Sequence, residues 1–298
     1  MPGIASTLLR EQLRLLKPLV THFNVELERA AQDRLGSLGA RALASKVDVT
    51  PVPFERFEAS FVAPAEDSGT RRTLLYLHGG GYVAGNIQYA LGFGSVLAEK
   101  TGARVLCAAY RLAPEHPFPA ALEDALEAYR YLLDSGDLPE DISLVGESAG
   151  GGLVFSLCLK LRDEGLPLPR SIVALSPWTD LTFGGGTYDS NRWRDPTLSE
   201  QSLRGFASAY APENAADPLV SPIFADLTGL PPSLIIAGGD ELLLDDARML
   251  DARLGEAGCE HRIYVEDGMW HVYPLFGTPE AQKALDMICE ALAPDASA

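Results

Sequence analysis

No CxxC pair, no long apolar run and few basic side chains occur in this sequence, and each shortage removes a class of protein. The four cysteines, Cys107, Cys158, Cys259 and Cys289, stand far apart, which excludes a small disulfide scaffold and leaves buried, reduced thiols as the expectation. The longest uncharged stretch near the middle, Ser148 to Leu159, is too short for a bilayer, which takes roughly 20 apolar residues to cross. Arg10, Glu11, Arg14 and Lys17 interrupt the N-terminal segment where a secretory signal needs an unbroken apolar core. A cytoplasmic protein without stable membrane association is therefore expected. Only 24 basic residues stand against 41 acidic ones, a formal charge of −17, and a surface so negative repels nucleic acid. The chain also lacks H-E-x-x-H, G-x-G-x-x-G, the Walker lysine loop and S-x-x-K. Zinc peptidases, dinucleotide enzymes, nucleotide hydrolases and β-lactamase-like esterases are disfavoured accordingly.

What is present is a chain of 298 residues, 47% hydrophobic and 22% charged, enough to build one domain around a continuous sheet. Residues 1–45 mix Leu with Arg and Glu at helical spacing, and Pro51 and Pro53 then interrupt the pattern before an alternating first strand, Phe54 to Val62. Strand-length apolar runs follow at Thr73 to Leu77, Arg104 to Ala109, Ile142 to Val145, Ile172 to Leu175, Leu234 to Ala237 and Arg262 to Val265. Helical stretches fit near Gln88 to Lys100, Ala120 to Leu133, Ala149 to Glu164, Leu243 to Glu256 and Glu280 to Leu292. Such alternation predicts an α/β fold, a mostly parallel sheet with helices on both faces. The stretch 180–222 breaks the rhythm with Gly, Ser, Asn and Pro. It reads as an insertion over the sheet that, with residues 1–45, forms a cap above the core of residues 46–298.

Gly146-Glu147-Ser148-Ala149-Gly150 follows the strand Ile142 to Val145 and opens a helix, the strand–turn–helix setting in which G-x-S-x-G presents a nucleophile. Ser148 is thus the expected nucleophile. His78-Gly79-Gly80-Gly81 follows another strand, and its backbone N–H groups can converge on one oxyanion; Gly80, Gly81 and Ala149, the residue after the nucleophile, are the expected donors. Five histidines are available to act as base. His22 falls among the N-terminal helices, His78 in the glycine loop, His116 between Glu115 and Pro117, and His261 at the start of a strand, leaving His271 in the loop after that strand. The orienting acid is expected between Ser and His in chain order, and Asp240, directly after Leu234 to Gly239, is assigned, with Asp245, Asp246 and Asp267 as competitors.

With those residues in place the chain, from about residue 70 onward, resembles the hormone-sensitive-lipase-like branch of the α/β-hydrolases, bacterial carboxylesterases in particular. The resemblance rests on His78 to Gly81, Tyr110 to Ala120 (YRLAPEHPFPA), Gly146 to Gly151, Asp240 to Asp246 and His271. It departs from the familiar pattern at Glu147, where Asp or Thr is frequent, at Glu241, where Pro is frequent, and at Val272, where Gly is familiar. The resemblance implies a helical cap, a mechanism without cofactor or metal, short or small carboxylic esters as substrates and frequent homodimers. Lactone hydrolysis, deacetylation or, if the base were lost, small-molecule binding on the same scaffold are the alternatives. Tyr82, Trp178, Trp193, Phe206, Tyr210 and Trp270 are the aromatic candidates for the substrate pocket.

Overall fold

Alternating apolar side chains along the strands decide how this chain folds. In β3 (Thr73–Leu77), Leu75 and Leu77 join one buried cluster and Leu74 and Tyr76 the other. The same period of two sends Ile172 and Ala174 of β6 (Ser171–Leu175) to the first cluster and Val173 and Leu175 to the second. A sheet with both faces apolar must be covered on both sides. Helices α3 (Ala120–Asp134), α4 (Ala149–Asp163) and α7 (Leu244–Glu256) cover the first face through Leu122, Leu153 and Leu250. Helices α2 (Ile87–Thr101) and α8 (Pro279–Ala291) cover the second through Leu97 and Ile288, and Leu9 and Leu13 of α1 (Ile4–Val20) pack beside them.

The computed structural model describes residues 2–20, 24–30, 32, 43–66, 69 and 71–293. It contains an eight-stranded sheet in the order β1-β2-β4-β3-β5-β6-β7-β8. The remaining strands are β1 (Val47–Val52), β2 (Glu58–Pro64), β4 (Arg104–Ala109), β5 (Ile142–Glu147), β7 (Ser233–Gly238) and β8 (His261–Glu266). β1 and β2 pair antiparallel with their neighbours and all other pairings are parallel. The predicted strands and helices of the core reappear with their ends moved by at most two residues, apart from the first. The strand expected from Phe54 to Val62 is β2, which begins only at Glu58, and an unforeseen strand, β1, precedes it with Pro51 inside. β1 is an edge strand, where a residue without an N–H is tolerated.

Residues 25–30 are helical, and the 180–222 stretch carries the short α5 (Thr187–Ser190) and α6 (Glu200–Tyr210), whose Ser199 cap accepts from the Ser202 N–H. His22 and much of the 21–42 stretch lie outside the described residues. All four cysteines are free; Cys107 and Cys158 are buried, but Cys259 and Cys289 are only partly so, which corrects the expectation of four buried thiols. No helix among the described residues is long and apolar enough to cross a membrane.

The parallel order places the C-terminal ends of β3, β5, β7 and β8 along one edge of the sheet, where the glycine loop, Ser148, the 239–241 turn and His271 emerge. Tight packing at the β5–α4 junction permits this. A Cβ on Gly150 would stand 2.0 Å from the Leu77 carbonyl oxygen, and one on Gly146 2.3 Å from that of Gly150. Gly150→Ala is therefore expected to destabilise the fold by on the order of 3 kcal/mol through overpacking, read as a lowered midpoint in denaturant unfolding.

Candidate active site

Ser148 sits between β5 and α4 with φ 54° and ψ −119°, a region that L residues rarely occupy. Three backbone hydrogen bonds hold it there: Ser148 N–H donates to the Leu175 carbonyl (2.9 Å), and the Ser148 carbonyl accepts from Trp178 N–H (2.9 Å) and Gly152 N–H (3.1 Å). The strain lifts Oγ out of the helix and toward His271, whose Nε2 is 2.9 Å away. Both side chains are almost wholly buried. The structure thus brings together the serine and the histidine singled out in the sequence.

The expected acid is placed differently. The Asp240 carboxylate is paired with Arg10 and Arg194 and makes no hydrogen bond to His271. Its neighbour Glu241 turns inward instead, and its Oε2 stands 3.8 Å from His271 Nδ1. That oxygen also accepts from Ser176 Oγ (2.6 Å) and Gly238 N–H (3.1 Å). Ser176 Oγ in turn accepts from Val272 N–H at 2.9 Å, tying the acid to the residue after the histidine. His271 Nδ1 and Glu241 Oε1 are buried polar atoms with no hydrogen-bond partner among the described residues. Hydrogen bonds between catalytic groups often tighten only with substrate present. Geometry therefore moves the assignment from Asp240 to Glu241, and neither Ser176 nor Glu241 was picked out as a site residue by the sequence patterns.

Burial governs the charges here. It holds the His271 imidazole at about 4, below its ordinary value, with Asp195 pulling weakly the other way, and pushes the Glu241 carboxyl up. Each charged form is penalised alone, and an imidazolium beside a carboxylate relieves both. A histidine base must be neutral, so activity is lost as pH falls through its pKa. The acid limb of kcat/KM is accordingly expected below pH 6.5, toward about 4; a rate-against-pH profile breaking at or above 6.5 would contradict it.

Gly80 and Gly81 have φ of 110° and 62°, which opens the loop after β3 and leaves no room for side chains. A Cβ at Gly81 would meet the Phe206 ring at 2.4 Å, and one at Gly79 would lie 3.1 Å from Ser148 Cβ. Gly79 N–H is already committed to Glu147 Oε1 (2.6 Å). The N–H groups of Gly80, Gly81 and Ala149 have no acceptor among the described residues. They are the donors available to a developing oxyanion. The Glu147 departure finds its reason here: besides Gly79 N–H, the buried carboxyl accepts from the Tyr76 and Tyr89 hydroxyls (2.7 and 3.2 Å), joining the nucleophile turn to the glycine loop.

Of the six aromatic candidates, four cluster. Tyr82 stacks on Tyr210 with centroids 3.8 Å apart, Trp178 lies 6.2 Å from Tyr82, and Phe206 abuts Gly81. Two do not belong with them. Trp193 is 81% exposed under Arg192, and Trp270 packs with Met269 and Tyr273 in the cluster on the opposite face of the sheet. Among the described residues no three His, Cys, Asp or Glu side chains are grouped to hold a metal ion.

Comparison with known proteins gives a consistent result. A family profile described as the alpha/beta hydrolase fold matches residues 74–275. The chain is 41% identical over 260 residues to an acetyl-hydrolase of Streptomyces hygroscopicus, covering 86% of this chain and 84% of that protein. It is 34% identical to an esterase of Acinetobacter venetianus, covering 76% of each. Among solved structures, EstE5 soaked with p-nitrophenyl butyrate superposes with a TM-score of 0.91 at 36% identity, covering 97% of this chain and 98% of that one. An esterase from the bacterial hormone-sensitive lipase family gives 0.88 at 36% identity, covering 98% of both.

Proposed function

This chain belongs to the α/β-hydrolase fold family, in its bacterial hormone-sensitive-lipase branch, and from that membership we propose that it is a serine esterase cleaving short-chain carboxylic esters through an acyl-Ser148 intermediate. The observation that carries the reading is the 2.9 Å contact between His271 Nε2 and Ser148 Oγ on a strained turn. In the proposed cycle His271 takes the Ser148 proton as Oγ attacks the ester carbonyl carbon. The resulting oxyanion accepts from the Gly80, Gly81 and Ala149 N–H groups, and Glu241 stabilises the imidazolium. The imidazolium then protonates the departing alcohol oxygen. Water, deprotonated by the same histidine, attacks the acyl carbon, and the acid leaves as the proton returns to Ser148.

Short acyl chains fit a site roofed at close range. Phe206 lies directly over Gly81, and Arg29 from the helical 25–30 stretch donates to the Val83 and Ala113 carbonyls (2.8 and 3.1 Å) just beyond the glycine loop. On this reading the N-terminal segment and the 180–222 insertion act as the cap, with Tyr82, Trp178, Phe206 and Tyr210 lining the pocket. The acetyl-hydrolase relative and the structural neighbour soaked with p-nitrophenyl butyrate favour the same substrate range. Four unpaired thiols fit a reducing compartment such as the cytoplasm. Hydrolysis of p-nitrophenyl esters from acetate to palmitate is the test. The expected optimum is at acetate to butyrate with little turnover of palmitate, and a maximum at long chains would overturn the proposed substrate range.

A further inference from the structure

One guanidinium, that of Arg10 on α1, bridges three segments that converge at the catalytic edge of the sheet. Its Nη2 donates to Asp240 Oδ2 (2.5 Å) and to the Arg194 carbonyl (2.8 Å), and its Nη1 donates to the Gly268 carbonyl (3.0 Å). Asp240 immediately precedes Glu241 in the turn after β7. Gly268 lies three residues before His271 in the loop after β8, and Arg194 belongs to the insertion. The Arg10 side chain is 14% exposed and that of Asp240 5%, so the contact is largely shielded from water. We infer that Arg10 is a positioning residue for the reaction: by pinning the acid turn and the histidine loop to one planar group it sets the separation of Glu241 and His271. The inference rests on the reading of Glu241 as the acid.

Three features support it. The 3.8 Å between His271 Nδ1 and Glu241 Oε2 spans two loops from adjacent strands, so any relative shift of those loops changes it directly. The two loops are already joined by the Gly239 N–H to Glu266 carbonyl and Asp240 N–H to Met269 carbonyl bonds, both 2.9 Å, and Arg10 closes the same junction from outside. The helix that carries Arg10 is itself held at both ends. Gly3 N–H donates to Glu280 Oε1 (2.7 Å), Ser6 Oγ bonds the other oxygen of Glu280, and Lys17 Nζ donates to the Arg192 and Asp195 carbonyls (3.1 and 2.5 Å). A fixed fork reaches several acceptors at set angles, which a lysine ammonium on a flexible stem cannot reproduce.

The test is steady-state hydrolysis of p-nitrophenyl butyrate by Arg10→Gln, Arg10→Lys, Glu241→Gln and the Arg10→Gln/Glu241→Gln double variant, each with its thermal unfolding midpoint. A displacement of about 1 Å between reacting groups costs on the order of a hundredfold. Arg10→Gln is therefore expected to lower kcat by roughly 10- to 100-fold with KM little changed, and Arg10→Lys to recover only part of the loss. Because Arg10 acts through the acid–histidine pair, the double variant is expected to lose little beyond Glu241→Gln alone. An Arg10→Gln enzyme with a lower melting point but unchanged kcat would overturn the inference, as would losses that multiply in the double variant. A Glu241→Gln enzyme that kept its kcat would overturn the acid assignment and with it the route through which Arg10 acts.

Discussion

Ser148→Ala is expected to lower kcat on p-nitrophenyl butyrate by about a millionfold, the scale seen when the nucleophile of a serine hydrolase is removed. The loss is large because every later step needs the acyl-serine bond. The N–H groups of Gly80, Gly81 and Ala149 would remain and support a residual rate of roughly 10³- to 10⁴-fold over water. His271→Ala is expected to be nearly as severe, and Ser148→Ala/His271→Ala no worse than either alone, since the pair acts as a unit. The position of Ser148, fixed by backbone bonds to Leu175, Trp178 and Gly152, does not depend on its hydroxyl, so the alanine variant should unfold at nearly the wild-type temperature. Full turnover by a folded Ser148→Ala enzyme would end the mechanistic proposal.

The second large effect distinguishes adjacent carboxylates. Glu241→Gln is expected to reduce kcat on the order of ten-thousandfold, as when the acid of a serine–histidine–acid triad loses its charge. Asp240→Asn is expected to cost far less, because its carboxylate faces Arg10 and Arg194 and not the imidazole. Gln preserves the length of Glu and can still accept from Ser176 Oγ, so loss of fold is not the anticipated cause. It cannot balance the charge of an imidazolium in a site that excludes water. Measuring kcat for both variants on one substrate decides the matter, and the reverse order of severity would restore Asp240.

Much of the architecture was legible because it depends on local rules. Alternating side chains in Leu74 to Leu77 and Ile172 to Leu175, with helical stretches between, specify strands buried on both faces and hence a parallel sheet. The Ser148 turn and the glycine loop were legible for a related reason: positive φ and close backbone approach demand glycine at set offsets, so the chemistry leaves a short, contiguous trace. β1 was missed because its prolines argue against a strand, an objection that lapses at an edge. Trp193 and Trp270 were misplaced because an aromatic side chain reads alike whether it lies in solvent, in a pocket or under a helix.

The acid marks the boundary between the two kinds of information. The α/β architecture is written in the sequence, and so are the positions of the candidate serine, glycine-loop donors and histidine, because each follows from periodicity, from glycine-enforced backbone geometry or from the scarcity of its residue type. Which of Asp240 and Glu241 faces His271 is visible only in the packed chain, as is the place of Ser176 between Glu241 and the histidine loop. Adjacent residues on a turn point in different directions, and which of them meets His271 depends on how the segments after β6, β7 and β8 pack together. Those contacts join residues between 30 and 96 positions apart, Glu241 with His271 and Ser176 with Val272 at the two extremes, and no local pattern encodes them.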